Sequence, residues 1–239
     1  MGELILIRHG ETEWSRSGQH TSYTDLPLTP SGERQARALA PLLADRRIAL
    51  TLVSPAVRAR RTAELAGLAA PRITPELREW DYGGYEGVTT DEIRRTRPEW
   101  NLWTDGVAPG PEAHPGETPA EVGARADRVL AEAARAALRD ADEDIALVAH
   151  SHFLRVLTAR YLGLTPAEGT LFQLATGAVS RLGTEHGKPV ITAWNVTLPE
   201  SLVPGAVPEP PNTTEREGAA SPCERTVGRP PGRGTGRRP

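Results

Sequence analysis

Four side chains in the sequence have the chemistry to bind and transfer a phosphoryl group: Arg8, His9, Arg58 and His150. Arginine stays protonated, and its planar guanidinium matches the oxygens of a tetrahedral phosphate. Nearby arginines also disfavour imidazolium, which lowers the pKa of a neighbouring histidine. A neutral His9 could then attack phosphorus and form a phosphohistidine, while His150 donates hydrogen bonds to the oxygens on which charge develops.

Apolar runs precede these side chains and predict the strands that position them. The runs at 3–7, 49–53 and 145–149 are typical of strands buried on both faces. Ligands of open α/β sheets bind beyond the carboxyl ends of the strands. We therefore expect the three runs to direct all four side chains to one site, although a single histidine at a strand end is more often structural.

A general acid for the leaving oxygen is still needed, and the glycine-punctuated segment 77–87 offers acidic candidates. A carboxyl group beside a bound phosphate dianion has its pKa raised and can hold a proton near neutral pH. Glu79 could protonate the leaving oxygen and later take a proton from the attacking water. The residues alone leave Asp81 and Glu86 open as alternatives.

Helix signals separate the apolar runs. Thr29, followed by a proline, predicts a helix start, and Pro41 should kink that helix or end it early. A capping box at 118–121 predicts a second helix, and the runs at 178–184 and 189–194 predict edge or hairpin strands. Strands alternating with helices predict an α/β protein, a three-layer α/β/α sandwich with a mostly parallel central sheet.

Composition excludes several classes of protein. The chain has 239 residues, 38% hydrophobic and 25% charged, with no run of eighteen apolar residues and no signal-peptide pattern. We therefore expect a cytoplasmic protein without a membrane partner. Its single cysteine, Cys223, argues against a disulfide framework or a cysteine-rich metal site. The net charge of −3 gives no sign of a nucleic-acid partner.

The composition changes sharply at Pro199. Residues 199–239 contain nine prolines and six glycines and almost no large apolar side chains. Such a segment cannot bury enough apolar surface to offset the entropy lost on ordering. We predict a folded domain at 1–198 and a disordered Pro/Gly/Arg-rich tail at 199–239.

Five sequence blocks resemble, in order and spacing, the histidine phosphatase superfamily, also called phosphoglycerate mutase-like. They are LIRHGETEW (6–14), LTPSGERQA (28–36), SPAVRARRTAE (54–64), LREWDYGGYEG (77–87) and VAHSHFLR (148–155). The resemblance covers residues 3–196 and is nearest to the acid phosphatase and sugar-bisphosphatase branch. It implies that 1–198 is a catalytic domain, that His9 is the nucleophile and Glu79 the proton donor, and that the phosphate pocket contains Arg8, Arg58 and His150.

The same resemblance implies further contacts with the substrate. By similarity the candidates, besides the two arginines, are Thr12, Ser15, Gln19, Thr21, Ser22, Tyr82 and Ser151. Ser22 and Ser151 stand where many relatives have glycine. A side chain at Ser22 puts close approach of the backbone to the substrate in doubt.

The resemblance implies a phosphomonoester hydrolase that acts on small phosphorylated metabolites and needs no cofactor. A phosphoglycerate mutase is the alternative, but mutase relatives carry basic residues after the acid loop, whereas residues 98–116 contain no arginine or lysine. A non-catalytic phosphate-binding module is a further alternative, and it would be expected to have lost His9 or Glu79. The oligomeric state is left open, with a homodimer as the candidate.

Several other side chains invite an interpretation. We predict no metal site at His150 and His152, because no acidic or cysteine cluster accompanies them and alternation along a strand end would separate the rings. Ser54 is expected to cap the helix that carries Arg58. Trp100 and Trp103 either line the pocket of the leaving group or pack onto the core. We expect the other three histidines, His20, His114 and His186, on the surface or in loops.

Overall fold

The computed structural model describes residues 2–137 and 142–198. Within them the chain forms one six-stranded sheet with the order β3-β2-β4-β1-β5-β6. The strands are β1 (Leu4–Arg8), β2 (Ile48–Val53), β3 (Arg72–Ile73), β4 (Asp144–Ala149), β5 (Val179–Glu185) and β6 (Lys188–Val196). The predicted tail at 199–239 lies outside the described residues and stays a prediction.

Eight α-helices occur in the described part of the chain. They are α1 (Glu13–Ser17), α2 (Pro30–Ala38), α3 (Ala40–Leu43), α4 (Val57–Leu65), α5 (Thr90–Thr96), α6 (Leu102–Asp105), α7 (Pro119–Ala137) and α8 (Ser151–Tyr161). Short 3-10 helices occur at Pro75–Leu77, Gly83–Tyr85 and Pro166–Leu171. None of these described helices has the length and apolar composition needed to cross a bilayer.

The sheet is mostly parallel, as the sequence predicts. Strands β3, β2, β4 and β1 run parallel to one another, and the three apolar runs form β1, β2 and β4. The two late runs form the antiparallel hairpin β5–β6 at one edge. His186 (φ 49°) and Gly187 (φ 73°) make its turn, and two consecutive left-handed residues suit the twist of a tight hairpin.

Both faces of the sheet are covered, which produces the three predicted layers. Alternate side chains of β1 enter different clusters: Leu4 and Leu6 pack towards α7 and α8, whereas Ile5 and Ile7 pack towards the layer of α2, α3 and α4. Because the central strands β1 and β4 are buried on both sides, their sequences read as continuous apolar runs rather than alternations.

The predicted helix signals act where the sequence places them. Thr29 caps α2, accepting the N–H of Gly32 at 3.0 Å. This helix ends at Ala38, and Pro41 lies in the separate short helix α3, as expected for a residue that cannot donate inside a helix. At the start of α7, Thr118 and Glu121 hydrogen-bond each other's backbone N–H, which completes the predicted capping box.

Two glycines let the loop after β1 touch the start of α2. A Cβ on Gly32 would lie 2.1 Å from the carbonyl oxygen of Glu11, and a Cβ on Gly10 would lie 2.2 Å from that of Gly32. Backbone therefore meets backbone on both sides of the contact. Since Gly10 follows His9 directly, this close approach fixes the path of the chain beside the histidine.

Gly32→Ala should lower the free energy of unfolding by about 1–3 kcal/mol, because the added methyl group overpacks rigid backbone. Urea denaturation would measure the change. Arg37→Ala is the control on the same helix: it removes an exposed ion pair with Glu33 and should cost less than about 0.5 kcal/mol. Equal stability of Gly32→Ala and the unchanged protein would contradict the close approach.

Candidate active site

The four side chains that the sequence singles out come together at the carboxyl edge of the sheet. Arg8 ends β1 and His9 follows it, His150 follows β4, and Arg58 lies in the first turn of α4 after β2. The rings of His9 and His150 are 5.1 Å apart between centroids. Arg58 Nε lies 3.3 Å from His150 Nδ1. Three separate segments of chain therefore supply one site.

His9 is buried in the neutral form that a nucleophile needs. Its Nδ1 donates a hydrogen bond to the carbonyl of Gly10 at 2.8 Å, so the neutral ring carries its lone pair on Nε2. Burial holds the pKa of His9 well below its usual value, and the charges of Arg58 and Arg8 lower it further. The geometry thus produces both the tautomer and the protonation state expected of a group that attacks phosphorus.

His150 has a fixed tautomer as well. Its Nδ1 accepts from Arg58 Nε, so Nε2 carries the proton and donates to Ser54 Oγ at 2.7 Å. Burial, followed by the charge of Arg58, holds its pKa well below the ordinary value. The expectation that Ser54 caps the helix of Arg58 is wrong: α4 has Ala56 at its N-cap, because Ser54 lies two residues too early. Ser54 instead orients the second histidine.

The guanidinium of Arg58 is fully buried and organises a loop. Its Nη1 donates to the carbonyl of Thr24 at 3.0 Å, and its Nη2 donates to that of Ser22 at 3.1 Å and, more weakly, to that of Thr21 at 3.4 Å. The nearest carboxylate, of Asp25, is 4.0 Å away. A buried cation held mainly by carbonyl oxygens keeps a positive potential that favours an anion.

Arg8 is held more loosely. Its Nη1 donates to the carbonyl of Leu174 at 2.5 Å, and its buried Nε has no hydrogen-bond partner among the described residues. Burial lowers the pKa of Arg8, and the nearby Glu79 opposes that effect. A buried donor without an acceptor is costly, so an oxygen anion in the site would be stabilised there.

Glu79 is the acid candidate that the geometry favours. Its Oε1 accepts the backbone N–H of Trp80 and Phe153 at 2.9 and 2.8 Å, and its Oε2 accepts that of His152 at 3.1 Å. Burial raises the pKa of Glu79, although these N–H groups and Arg8 oppose the rise. Because Oε2 accepts one N–H and Oε1 accepts two, Oε2 is the oxygen with room for a proton.

The two alternative acids have other tasks. Glu86 binds the backbone N–H groups of Ser22 and Thr24 at 2.9 and 2.9 Å and the Ser22 hydroxyl at 2.6 Å, which holds the loop that Arg58 also contacts. Asp81 accepts the N–H of Gly83 at 3.0 Å within its own turn. Neither carboxylate contacts the first turn of α8.

Glu79 lies between two cavities of opposite character. The arginine cavity, of about 320 Å³, is lined among others by Arg8, His9, Glu79, His152 and Arg155. The acidic cavity, of about 520 Å³, is lined among others by Asp25, Glu76, Glu79, Asp81, Glu117 and His150. The nucleophile therefore lines one cavity and the second histidine the other, and the acid lines both.

Comparison with known proteins identifies the family. A family model described as "Histidine phosphatase superfamily (branch 1)" matches residues 4–197. The chain belongs to the histidine phosphatase superfamily. It is 40% identical over 196 residues to a Mycobacterium tuberculosis protein described as acid phosphatase, covering 81% of this chain and 92% of that one. It is 37% identical over 188 residues to the sedoheptulose 1,7-bisphosphatase of Saccharomyces cerevisiae, covering 67% of each.

Solved structures agree. The product of an open reading frame of Mycobacterium tuberculosis superposes with a TM-score of 0.75 at 38% identity, covering 82% of this chain and 98% of that one. Several probable phosphoglycerate mutases also match, at 28% to 31% identity. The predicted superfamily, its acid phosphatase and sugar-bisphosphatase branch and the α/β fold are confirmed, and the chain is a phosphatase of this superfamily.

Besides the two arginines, the side chains proposed by similarity for substrate contact each line one of the cavities, whereas Arg58 lines neither. Those of the arginine cavity are Thr12, Ser15, Gln19, Thr21, Tyr82 and Ser151, and Ser22 lines the acidic cavity. Several of these side chains also make hydrogen bonds that hold the protein's own backbone in place. Thr12 and Ser15 form the capping box of α1, and Gln19 Nε2 donates to the carbonyl of Gly87 at 2.8 Å.

The remaining histidines divide into buried and exposed groups. His20 lies in a loop, which agrees with one part of the expectation, but its side chain is not on the surface: it is buried against Tyr82 and Trp100, and its Nδ1 donates to the carbonyl of Val88 at 2.6 Å. A single histidine in a loop belongs to no periodic apolar pattern, so the sequence gives no sign of that packing. His186 is exposed in the hairpin turn, and His114 stacks on Tyr23 with centroids 3.9 Å apart.

Packing around α8 determines the outcome of the expectations for the two tryptophans and for the pair His150 and His152. The tryptophans Trp100 and Trp103 are core residues, so the packing interpretation is the one that the structure supports. His150 and His152 do not follow one another along a strand, as the sequence argument supposed, because β4 ends at Ala149 and α8 begins at once. His152 and Arg155 line the arginine cavity, and sequence reasoning did not select them.

An ion pair supports the loop of the phosphatase that carries Glu79. Arg125 in α7 makes two hydrogen bonds of 2.7 Å to the carboxylate of Glu117. The same guanidinium donates to the carbonyls of Glu76, Arg78 and Glu79 at 2.8, 2.9 and 3.3 Å. Glu117 in turn accepts the N–H of Asp81 at 2.9 Å. Both ends of the loop that carries Glu79 are thus fixed to α7.

Arg125→Met should reduce kcat for an alkyl phosphate about 10-fold to 100-fold, because a small displacement of the acid is costly for catalysis. Steady-state kinetics together with a thermal melt would separate this loss from unfolding. Arg128→Met is the matched control on α7, where it removes an exposed pair with Glu76 and should leave kcat unchanged. Identical kinetics of both variants would contradict the positioning role of Arg125.

Proposed function

We propose that the chain hydrolyses phosphomonoesters of small metabolites through a phosphohistidine at His9. The observation that carries the proposal is a buried neutral His9 with its lone pair on Nε2, beside the buried Arg58 and the half-buried Arg8, whose guanidiniums are held mainly by carbonyls. A nucleophile and two cations of this kind suit a phosphoryl group. The branch of the superfamily supports the same conclusion, since its named relatives include an acid phosphatase.

The reaction proceeds in two balanced steps. His9 Nε2 attacks phosphorus and forms an N–P bond while the ester P–O bond breaks, and Glu79 gives its proton to the leaving oxygen, which departs as an alcohol. Water then attacks the phosphohistidine, and Glu79, now a carboxylate, takes a proton from it. The N–P bond breaks, inorganic phosphate leaves, and both His9 and Glu79 return to their starting states.

Each remaining side chain of the site has a defined task in this proposal. Arg8 and Arg58 neutralise the phosphoryl oxygens and keep His9 unprotonated. The N–H on His150 Nε2, which donates to Ser54 in this structure, supplies a hydrogen bond to an oxygen on which charge develops. No cofactor is needed for either step.

The mutase alternative is less well supported. A mutase needs cations for the carboxylate of phosphoglycerate. The acidic cavity, where the segment around His114 lies, carries mainly carboxylates, and one of its two arginines, Arg125, is paired with Glu117. A mutase would depend on a bisphosphoglycerate primer and would produce isomerised phosphoglycerate without releasing free phosphate. A homodimer and a cytoplasmic location stay predictions, which light scattering and cell fractionation would check.

His9→Ala should abolish turnover of an aryl phosphate, because no other described group in the site has a free neutral nitrogen beside both arginines. Base quenching of the unchanged enzyme during turnover, followed by intact-mass analysis, should reveal one covalent phosphoryl group that the variant lacks. His186→Ala, in the exposed hairpin turn at the opposite end of β5, is the control. Retained hydrolysis by His9→Ala would refute the nucleophile assignment.

Glu79→Gln should slow alkyl phosphates about 100-fold or more and aryl phosphates far less, since protonation matters most when the leaving group is poor. Steady-state kinetics on both ester classes provide the comparison. Glu86→Gln would alter a loop carboxylate of the same segment and should not discriminate between the two ester classes. Equal losses on both esters with Glu79→Gln would exclude it as the general acid.

The pH profile tests the same pair of groups. His9 must be neutral, and its pKa lies well below the usual value, so activity should persist into acidic solution and fall only below that pKa. Glu79 must be protonated and its pKa is raised, so activity on alkyl esters should fall as pH rises through it. The expected kcat/KM profile is a bell whose acidic limb reports the lowered pKa of His9 and whose alkaline limb reports the raised pKa of Glu79, and Glu79→Gln should lose the alkaline limb.

A further inference from the structure

We infer that the hydroxyl of Thr62 in α4 positions the nucleophile, because it ties the backbone beside His9 to the backbone of Arg58. Thr62 is fully buried and lines neither cavity, so it acts through His9 and is a positioning residue. This inference rests on the proposed phosphomonoesterase activity at His9. It adds a group that holds the reacting nitrogen in place for attack.

The hydroxyl of Thr62 makes two hydrogen bonds, one as donor and one as acceptor. It donates to the carbonyl of Arg58, four residues earlier in α4, at 2.7 Å, which is a common contact of a helical threonine. It accepts the backbone N–H of Gly10, the residue after His9, at 3.1 Å. Since a hydroxyl has a single proton, the donated bond aims a lone pair at Gly10. One side chain therefore joins the first turn of α4 to the loop after β1.

The hydrogen bonds of the sheet do not themselves join these two segments. β1 precedes His9 and β2 precedes α4, but the two strands are not neighbours, because β4 lies between them. Across the described residues, the bond from Gly10 to Thr62 is the one hydrogen bond between residues 9–12 and α4. It is therefore the direct polar restraint on the separation of the nucleophile from the helix that carries Arg58.

Gly10 is the residue whose backbone orients the ring of His9. Its carbonyl accepts the proton of His9 Nδ1 at 2.8 Å, which leaves the lone pair of Nε2 for phosphorus. The peptide between His9 and Gly10 is held on both sides, since its carbonyl accepts the N–H of Gly177 at 3.1 Å and its N–H is donated to Thr62. Glycine is the least restricted residue in φ and ψ, so its direction has to be imposed by such contacts. Loss of the hydroxyl would release the acceptor that fixes the ring.

The cation and the acid have supports that do not involve Thr62. The guanidinium of Arg58 is held by the carbonyls of Thr24 and Ser22, and the carboxyl group of Glu79 is held by the first turn of α8. Removal of the Thr62 hydroxyl should therefore slow the attack by His9 while leaving phosphate binding and protonation of the leaving group intact. This separation distinguishes a positioning role from a general loosening of the site.

Thr62→Val removes the hydroxyl and keeps the branched shape of the side chain. We expect kcat/KM for an aryl phosphate to fall about 10-fold to 100-fold, because a small displacement of a reacting group is costly. An alkyl phosphate should lose the same factor, since Glu79 is undisturbed, and the inhibition constant of inorganic phosphate should stay nearly unchanged. Thr62→Ser, which keeps the hydroxyl, should retain most of the activity.

Thr158→Val is the matched control. Thr158 is equally buried in α8, and its hydroxyl donates to the carbonyl of Leu154, again four residues earlier, at 2.8 Å. Among the described residues it accepts no hydrogen bond from another segment, so its removal should leave kcat/KM unchanged. Thermal melts of every variant separate slow catalysis from unfolding. Thr62→Ala, whose side chain suits a helix interior, serves if Thr62→Val does not fold.

Failure of the proposed function and failure of the positioning role give different results. If the unchanged enzyme hydrolyses neither ester, the proposed function itself is contradicted. If it hydrolyses both, full kcat/KM in a folded Thr62→Val overturns the inference alone, as does an equal loss in Thr62→Ser or in Thr158→Val. A loss confined to the alkyl ester, or an equal loss of affinity for inorganic phosphate, also overturns it. If neither Thr62→Val nor Thr62→Ala folds, the hydroxyl serves the fold rather than the nucleophile, and the inference is wrong.

Discussion

The contact between the carboxylate of Glu79 and the first turn of α8 is the interaction on which the rest of the site depends. The first N–H groups of a helix have no partners within it, and the N-cap of α8, His150, provides no side-chain cap. Glu79 supplies the missing acceptor from a distant segment, receiving the N–H groups of His152 and Phe153. One carboxylate therefore fixes the acid loop, the helix and the histidine that begins it.

This contact also explains how an acid can be buried next to cations and still hold a proton. Three backbone N–H groups and Arg8 favour the carboxylate form, whereas burial favours the neutral form and is the larger effect. The ion pair of Arg125 and Glu117 supports the loop through its carbonyls and leaves the carboxyl group itself unpaired. Support of the backbone thus fixes the position of Glu79 without a salt bridge that would keep it ionised.

Much of this arrangement could be predicted from the sequence, because it depends on local patterns. Apolar runs buried on both faces, a proline that ends a helix and a Thr/Glu capping box each leave a signature within a few residues, as Pro41 and Thr118 illustrate. The side chains that directly follow the strands could be placed in one site for the same reason. The choice of Glu79 over Asp81 and Glu86 required either the family resemblance or the observed contacts.

Other features could not be predicted because they depend on contacts between distant segments. The burial of His20 results from packing against Tyr82 and Trp100, residues far along the chain. Ser54 orients His150 only because β2 and β4 are neighbours in the sheet. The arginines raise the same difficulty: Arg8 and Arg58 could be selected because they follow predicted strands, but the sequence does not show which of the other arginines contribute to the site. Burial and the lack of a contacting carboxylate distinguish them: surface arginines such as Arg128 pair with glutamate, whereas Arg8 and Arg155 donate to carbonyl oxygens and keep a nitrogen unpaired. A lysine could replace the first kind. It could not replace the second, because a single ammonium has no fork with which to hold backbone oxygens and keep a further N–H free at once.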